Sequence, residues 1–529
     1  MGSADGSYGS EAERKSGRRR SMRIMASCVV AGALAGCAAG PDFRRPAAPE
    51  VSAYTSVPLP ARTVSATGAF GGAQRFDVGG DVDTAWWRSF GSPRLDALIE
   101  QAFRGSPTLL SARATLQQAR EIQSAQAGST RYPQIDAGAT GQRQRLSPSM
   151  LGQRGDAREF NLYDVGVGVH YRFDLAGGTR RSLEALAART DFRRHELDGA
   201  RLTLAANIAT AAIARARTAG QIASMEAMLQ AQAEQLAITR QRVRLGQAAP
   251  DDLLALRAQL EQTRAELPML RKQLEQGEHL LAVLAGQAPG AMKIPDFTLD
   301  EFELPSELPV VLPSELARRR PDIEAAEALL HAATAEYGVA TAKLYPQINL
   351  TASLGSQALS TGALFGGGSA VWSVLGQLTQ PLFNPGLPAE KRAALAAVDA
   401  AAANYQGVVL DALRNVADVL RALDYDAKTL AAQASAEAAA QASLASVERQ
   451  YALGTASYVQ VLIARQQAQQ MRMNQIAAQA QRLADSAALY QALGGGYADT
   501  YGKPGGVAPS LSISPENSAR PDAKIHDPM

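Results

Sequence analysis

The sequence has few aromatic residues, few cysteines and little excess charge. Among its 529 residues, 5% are aromatic, two are cysteine, and 53 basic side chains are balanced by 51 acidic ones. Two cysteines cannot form a disulfide scaffold, and the near-neutral balance gives no electrostatic reason to expect a nucleic-acid partner. Because alanine is abundant while aromatic residues are scarce, the composition favours long helices over a large conventional core.

The sequence also lacks the short motifs that carry catalysis or metal binding. Its five histidines are scattered without metal-ligand spacing. No nucleophile elbow, zinc-protease motif, phosphate-binding loop or dinucleotide fingerprint occurs. We therefore expect no catalytic residue, no metal and no cofactor, and we do not expect an enzyme. No run of 18 or more apolar residues occurs either, so no transmembrane helix is expected.

The N-terminus has the features of a secretory signal. Arg18–Arg20 and Arg23 precede an apolar run over residues 24–36. This run is too short to span a bilayer as a helix. A basic segment followed by such a run predicts a signal peptide over residues 1–36. Both Met1 and Met22 are candidate start residues, and the sequence leaves this choice open.

The apolar run ends in a lipidation motif. Leu34-Ala35-Gly36-Cys37 places small residues before a cysteine, as in the bacterial lipobox. We predict cleavage before Cys37 and attachment of lipid, including palmitate, to this residue. Ala38 follows, and by the usual sorting rule a residue other than aspartate directs a lipoprotein to the outer membrane. The alternative is an ordinary buried cysteine within an apolar segment.

The remainder of the chain is an internal duplication. Tyr132-Pro133-Gln134-Ile135 recurs as Tyr345-Pro346-Gln347-Ile348, and Leu245-Gly246 recurs 208 residues later as Leu453-Gly454. Landmarks that recur in the same order at nearly one spacing indicate two copies of one structural unit. The predicted segments are a lipid-anchored and equatorial part at 37–106, a first repeat at 107–287, an equatorial linker at 288–320, a second repeat at 321–494, and a disordered tail at 495–529.

Each repeat contains two predicted strands. From Tyr163 to Phe173, every odd position is apolar and every even position is polar or glycine, which is the period of a half-buried strand. The four predicted strands cover about 133–145, 159–175, 345–356 and 370–383. A soluble sandwich is one interpretation, but strands of this length also suit a membrane barrel. Because a barrel in lipid must close and four strands are too few, several chains would have to share it.

Each repeat also contains a long helix and a return helix. Proline is absent from 180–245, so a single helix of this length would extend for about 100 Å. Its return partner carries a seven-residue leucine repeat, which indicates a coiled-coil seam. The predicted helices cover about 180–245 and 251–286 in the first repeat, and 388–452 and 457–494 in the second. Gly246 and Gly454 lie at the intervening turns, where glycine suits a helix C-terminus.

Several motifs together resemble one family. They are Leu312-Pro313-Ser314-Glu315-Leu316, Arg318-Arg319-Arg320-Pro321-Asp322-Ile323, Trp86-Trp87-Arg88-Ser89-Phe90 and Gly40-Pro41-Asp42-Phe43. In this order they resemble the outer-membrane factor lipoproteins, the TolC-like, NodT-type efflux channels. The resemblance implies a mainly α fold with a transmembrane β part. In that family, three chains share a twelve-stranded β-barrel, four strands per chain, and a long α-helical coiled-coil barrel continues below it.

The resemblance also implies roles for the two helix-hairpin tips. In the family, these tips meet a periplasmic adaptor protein, and the matching residues here are Arg242, Leu245, Gly246, Leu453 and Gly454. Related channels often carry acidic residues just past the second tip, where they form a pore constriction. The matching residues here are Gln460 and Ile463, which are not acidic. Asp251 and Asp252 of the first tip are the alternative acidic residues.

The function expected from this resemblance is a passive conduit. The protein would be the outer-membrane channel of a tripartite efflux pump and would export drugs and other toxic small molecules. Its expected partners are two further copies of itself in a homotrimer, a periplasmic adaptor, an inner-membrane RND-type pump and outer-membrane lipid. Two alternatives stay open: the outer-membrane duct of a type I protein secretion system, and a non-conducting coiled-coil lipoprotein that spans the periplasm.

Overall fold

A computed structural model describes residues 38–147, 152, 154 and 156–496 of the chain. The predicted signal peptide, the predicted lipidation site Cys37 and residues 497–529 of the tail lie outside the described residues. The strands are β1 (Arg75–Val78), β2 (Gln134–Leu146), β3 (Arg158–Phe173), β4 (Glu307–Val310), β5 (Gln347–Ala358) and β6 (Ala370–Thr379). The helices are α1 (Pro93–Gly105), α2 (Pro107–Arg131), α3 (Gly178–Arg244), α4 (Pro250–Leu284), α5 (Pro313–Leu316), α6 (Pro321–Ala342), α7 (Gly386–Ala452) and α8 (Tyr458–Ala492).

The long strands form one antiparallel sheet in the order β2-β3-β5-β6. The pairing aligns Val167 of β3 with Ala137 of β2 and with Leu354 of β5, and Leu354 in turn with Trp372 of β6. Since side chains alternate along a strand, this register collects the apolar positions of all four strands on one face. The opposite face carries mostly polar residues and glycine. The sheet therefore has one apolar and one polar surface.

The two outer strands of this sheet are unpaired on their free sides. Within the described residues, β2 pairs only with β3, and β6 pairs only with β5. Every residue of β2 and of β6 is exposed. Free N–H and C=O groups at a sheet edge need partners, and they need them most in lipid. The chain by itself thus presents an open sheet with two free edges.

The helices of the two repeats have the same lengths. α3 and α7 contain 67 residues each, and α4 and α8 contain 35 residues each. Both ends of α3 and α4 lie 208 residues before the matching ends of α7 and α8. Apart from Pro388 in the first turn of α7, the two long helices contain no proline, and both are rich in alanine, which has the highest helix propensity. The two repeats are therefore built on one backbone plan.

The helices lie side by side in a layer below the sheet. α3 packs against α2 and α6 in the half near the sheet, and against α4 and α8 in the distal half. α7 packs mainly against α8 and also against α6. One uninterrupted helix in each repeat is thus matched by two shorter helices stacked end to end. This arrangement places α3 in the middle of the layer and α7 at its edge.

The main hydrophobic core is a belt around the middle of the helices. Here the N-terminal segment and the 288–320 segment pack onto α3, α7 and α8. Trp86 stacks on Tyr490 with ring centroids 5.3 Å apart. The short parallel pair β1 and β4 joins the two segments. The belt therefore brings the two non-repeated segments together around the helices.

Several element boundaries differ from the sequence predictions. The strand predicted to reach residue 383 ends at Thr379, because Pro381 has no N–H to donate. The strand predicted to reach 175 ends at Phe173, since the Asp174 carboxylate accepts the backbone N–H groups of Thr179 and Arg180 at the start of α3. The other strand and helix ends lie within about two residues of the predicted positions.

One helix also bears on the expectation that no transmembrane helix occurs. Among the described residues, α7 alone is long and apolar enough to cross a membrane by length and composition. Its alanine-rich first half meets this test, and most of that stretch is not buried within the chain. Nevertheless, α7 follows β6 closely and packs along α8. The exposed apolar surface of α7 is thus the edge of the helix layer.

Candidate functional site

The two hairpin tips have the same backbone geometry. Gly246 has φ of 72° and Gly454 has φ of 75°, in the left-handed region that favours glycine. At the first tip, the N–H of Gln247 donates to the carbonyl of Arg242, and at the second the N–H of Thr455 donates to that of Gln450. Both are Schellman motifs, which satisfy the last carbonyls of a helix. The same motif recurs at Gly286 and Gly494, at the other ends of the hairpins.

The tips lie next to each other at the distal end of the layer. The guanidinium of Arg242 is 6.0 Å from the ring centroid of Tyr451, with its Nη1 3.5 Å from the hydroxyl. Leu256 from α4 packs with Tyr458 and Val461 from α8 in a small apolar cluster. Burial raises the pKa of Tyr458 to about 12. These contacts fix the two tips relative to each other.

Two leucines project from the tips into solvent. Leu245 is 64% exposed and Leu453 is 80% exposed. Apart from the adjacent residues in the chain, no atom lies within 4 Å of the position that a Cβ would occupy on Gly246 or Gly454. The tips therefore present apolar side chains beside bare backbone, while Arg242 lies partly buried behind them. An open surface of this kind is accessible to another protein.

The two residues predicted to form a constriction have different environments. The Gln460 side chain accepts the backbone N–H of Ser457 at 2.8 Å, while the Ser457 hydroxyl accepts the N–H of Gln460. This reciprocal pair is a capping box at the start of α8. Ile463, one turn further on, is 59% exposed and makes no such contact. Gln460 is thus held by the helix terminus, whereas Ile463 projects freely.

The acidic residues of the first tip lie in the first turn of α4. The N-cap of this helix is Ala249, which has no side chain to cap it, and Asp251 and Asp252 follow. Negative charges at a helix N-terminus are favoured by the helix dipole. Helix stabilisation therefore accounts for both carboxylates.

The equatorial belt contains two buried arginines that the sequence analysis did not identify. Arg482 is 0% exposed, and its guanidinium donates to the carbonyls of Phe70 and Gly72 and to the hydroxyl of Thr63. Arg215 donates to the carbonyl of Phe297 and forms ion pairs with Glu278 and Asp296. These arginines attach the non-repeated segments to the helices. Burial lowers the pKa of Arg482.

A carboxyl pair lies close to Arg482. Burial and the proximity of Asp485 raise the pKa of Asp426 to about 8, although Arg482 acts in the opposite direction. Asp426 belongs to α7 and Asp485 belongs to α8. The pair therefore forms a titratable contact between the two helices of the second repeat. The sequence signal for it was weak, because the two residues are 59 positions apart.

The N-terminal segment docks where the sheet meets the helices. Arg181, on α3, donates to the carbonyls of Ala39 and Gly40 and pairs with Asp42 at 2.7 Å. The Phe43 ring stacks on His331 of α6 at 4.3 Å. The described part of the chain, which starts directly after Cys37, thus packs at the end of the helix layer next to the sheet. Within the described ranges, no group of histidine, cysteine and acidic residues is arranged to hold a metal.

The chain matches one protein family over most of its length. The model of the outer membrane efflux protein family matches residues 98–287 and again 312–495. The two matches correspond to the two repeats. The chain therefore belongs to the outer membrane efflux protein family.

Curated relatives extend this assignment. The chain is similar to the toluene efflux pump outer membrane protein TtgC of Pseudomonas putida, with 29% identity over 486 residues that cover 91% of this chain and 97% of the relative. It is also similar to the outer membrane protein OprJ of Pseudomonas aeruginosa, with 30% identity over 479 residues that cover 89% and 96% of the two chains.

Solved structures agree with the fold. The outer-membrane channel OprN has a TM-score of 0.78 and 29% identity, and the comparison covers 87% of this chain and 99% of OprN. The open state of the MtrE outer membrane channel of Neisseria gonorrhoeae has a TM-score of 0.73 and 27% identity, covering 87% and 98%. The protein is thus an outer-membrane efflux channel whose helices extend into the periplasm, as the sequence predicted.

Proposed function

We propose that three copies of this chain form a passive conduit through the outer membrane. The single observation that supports this most is the open four-stranded sheet, apolar on one face, with free edges at β2 and β6. Pairing β2 of one copy with β6 of the next closes the sheet, as a structure in lipid requires. The family resemblance supplies the number three, which gives twelve strands. The exposed surface of α7 then packs against the neighbouring copy.

The proposed cargo is small toxic molecules, including drugs. Relatives of this chain are named as pump proteins for toluene and for antibiotics. We further propose that the chain itself catalyses no reaction and works with a periplasmic adaptor and an inner-membrane RND-type pump. Protein secretion by a type I system remains the second candidate function. A non-conducting scaffold is disfavoured because a scaffold needs no apolar sheet face.

The hairpin tips are the proposed contact with the adaptor. Leu245 and Leu453 supply apolar side chains, and Gly246 and Gly454 leave the backbone accessible to a partner. Arg242 stacks behind the second tip and positions it. Leu453→Asp should abolish adaptor capture and export while the assembly stays intact. The matched control is Leu359→Asp. Leu359 is also an exposed leucine, but it lies directly after β5, at the end of the sheet that is far from the helices.

The proposed constriction is uncharged. The amide of Gln460 is engaged in the capping box, so Ile463 is the side chain that narrows the pore. A ring of such residues would close the conduit by excluding water rather than by holding cations. Ile463→Ala should raise single-channel conductance, whereas Leu254→Ala, an exposed leucine of the first tip, should not. Unchanged conductance in Ile463→Ala would place the constriction elsewhere, with Asp251 and Asp252 as the next candidates.

Lipid attachment at Cys37 is proposed from the motif and from the position of its neighbours. Residues 39–43 dock beside the base of the sheet, where the membrane surface would lie. Cys37→Ser should therefore lose the acyl mass without losing the fold. Acylated protein from this variant would show that the motif has been misassigned.

The proposed conduit is tested on protein extracted from the outer membrane in detergent. Light scattering gives the number of chains, and a planar bilayer gives the conductance, with Ile463→Ala as the opened form. A trimer that conducts supports the proposal. A monomer, or an oligomer in which even Ile463→Ala stays silent, would contradict it and favour the scaffold.

A further inference from the structure

A cavity of about 950 Å³ lies between α2 and α3, directly below the end of β3. This volume is in the range of ligand-binding sites in proteins. Four arginines line it: Arg120 and Arg131 from α2, Arg172 from β3 and Arg180 from α3. The conduit, the tips and the belt make no use of this cavity.

The acidic residues of the cavity wall do not neutralise the arginines of α2. The Asp174 carboxylate is engaged with two backbone N–H groups at the start of α3, at 2.8 and 2.9 Å. The Glu184 carboxylate contacts Arg181 at 2.7 Å and His331 at 2.9 Å, and neither of these lines the cavity. A positive wall therefore remains along α2.

The arginines of α2 are available for a ligand. Within the described part of the single chain, Arg120 and Arg131 form no ion pair, and both are exposed. They lie eleven residues apart, which is about 16 Å along a helix. Gln123, Ser124 and Ala127 line the cavity between them. An occupant that reaches both arginines must be larger than a single inorganic ion.

The position of the cavity indicates which occupant fits. Tyr171 lines the cavity and belongs to the apolar face of the sheet, so the cavity begins where that face ends. Aromatic residues mark this level in membrane barrels. Glu184 also contacts Arg181 and His331, which hold the N-terminal segment. The cavity therefore opens on the side of the helix layer where that segment docks.

We propose that this cavity binds the phosphate-containing head group of an anionic phospholipid in the periplasm-facing leaflet. Arginine pairs with phosphate through two parallel hydrogen bonds, and basic pockets at the membrane surface recognise lipid head groups. Arg131 takes the phosphate near the membrane surface, and Arg120 takes the distal part of the head group. The acyl chains then follow the apolar sheet face beside Tyr171.

The experiment is a lipid titration of the full channel in detergent, followed by native mass spectrometry. Phosphatidylglycerol and phosphatidylcholine are the two probes. The test variant is Arg120→Gln with Arg131→Gln. The control is Arg143→Gln with Arg145→Gln, which removes two arginines from the far end of β2, where Arg143 pairs with Glu159. We expect selective binding of phosphatidylglycerol, an affinity loss of about tenfold or more in the test variant, and no change in the control.

Three outcomes would overturn the proposal. They are equal binding of the two lipids, equal loss in both variants, and displacement of phosphatidylglycerol by millimolar inorganic phosphate, which would mark a site for soluble anions. The inference rests on the sheet facing lipid, as the proposed function requires. Conductance measured on the same preparations distinguishes a failure of the lipid site from a failure of the proposed conduit. A test variant that conducts yet still binds phosphatidylglycerol contradicts only the lipid site.

Discussion

The two repeats share a backbone plan but differ in what covers them. Leu202 on α3 and Leu410 on α7 occupy equivalent positions, 208 residues apart. Leu202 is 7% exposed and Leu410 is 67% exposed. α3 has neighbours on both sides within the chain, whereas α7 lies at the edge of the layer. The long helix of the first repeat therefore completes its packing within one chain, whereas the long helix of the second repeat leaves an exposed surface, which the proposed assembly assigns to a contact with another copy.

The largest expected effect comes from placing a charge at these equivalent positions. Leu202→Glu should prevent folding, because an unpaired buried charge costs about 3–5 kcal/mol or more. Leu410→Glu should leave each chain folded but block the trimer. Circular dichroism and light scattering distinguish the two results. A trimer formed by the Leu410→Glu variant would contradict the assignment of α7 as an interface.

The buried arginine of the second repeat gives the next effect. Arg482→Ala should destabilise the protein by about 3 kcal/mol, since it leaves buried carbonyl and hydroxyl groups without donors. The equivalent residue of the first repeat is Leu274, which is partly buried, so Leu274→Ala should cost less. Denaturant unfolding measures both. An equal decrease in the free energy of unfolding for the two variants would show that Arg482 stabilises the protein through packing alone.

The carboxyl of Asp426 should make stability depend on pH in the second repeat. Its raised pKa means that the folded state keeps a proton that the unfolded state releases near pH 4. Its stabilising contribution is therefore complete below about pH 4 and is lost as the pH rises to about 8. Asp426→Asn should flatten this decline in thermal unfolding between pH 5 and 9. Asp411→Asn, an exposed carboxyl on the same helix, should keep the wild-type slope.

Residue Thr218 occupies the equivalent position in the first repeat. Its hydroxyl donates to the carbonyl of Ala214 and does not titrate in this range. Thr218→Val should therefore leave the pH dependence unchanged. A changed slope in Thr218→Val would mean that the decline does not arise from Asp426 alone.

The smallest expected effect concerns the two helix starts at the tips. Ser457→Ala should cost about 1 kcal/mol by removing the capping box of α8. The equivalent residue is Ala249, which makes no side-chain cap, so Ala249→Ser should stabilise the first tip by a similar amount. Hydrogen exchange at each tip reports both changes. If neither substitution changes the protection of the tip amides from hydrogen exchange, packing of the tips, and not capping, controls the stability of these helix ends.

Much of the fold could be predicted because its signals are local. The period-two pattern of β3, the proline-free stretch of α3 and the turn glycines are each read from residues close together in the sequence. Because the sequence is duplicated, each strand or helix predicted in one repeat also predicts its counterpart in the other. The sequence predicts that β6 extends to residue 383, four residues past its end at Thr379, because apolar residues continue to Phe383, past Pro381. For the end of a strand, a proline is a stronger signal than the alternation of apolar and polar residues, because proline has no N–H for pairing.

The belt could not be predicted because its contacts join distant parts of the chain. Nothing near Arg482 indicates that it binds carbonyls around residue 70, since long-range contacts leave no local period. By contrast, the capping role of Gln460 is a local signal, because it follows from Ser457 three residues earlier. The arginines of the α2 cavity converge only when the strands bring α2 and α3 together.

The N-terminal segment also contacts residues that lie several hundred positions later in the chain. Thr63 lies 419 residues from its partner Arg482, and Thr55 lies 366 residues from Arg421. Contacts at such separation form slowly. In a chain that enters the periplasm N-terminus first, the Thr55 contact cannot form until α7 has arrived, and the Thr63 contact cannot form until α8 has arrived. The residues around Thr63, although exported early, are therefore among the last to reach their final contacts, and their docking marks a finished subunit.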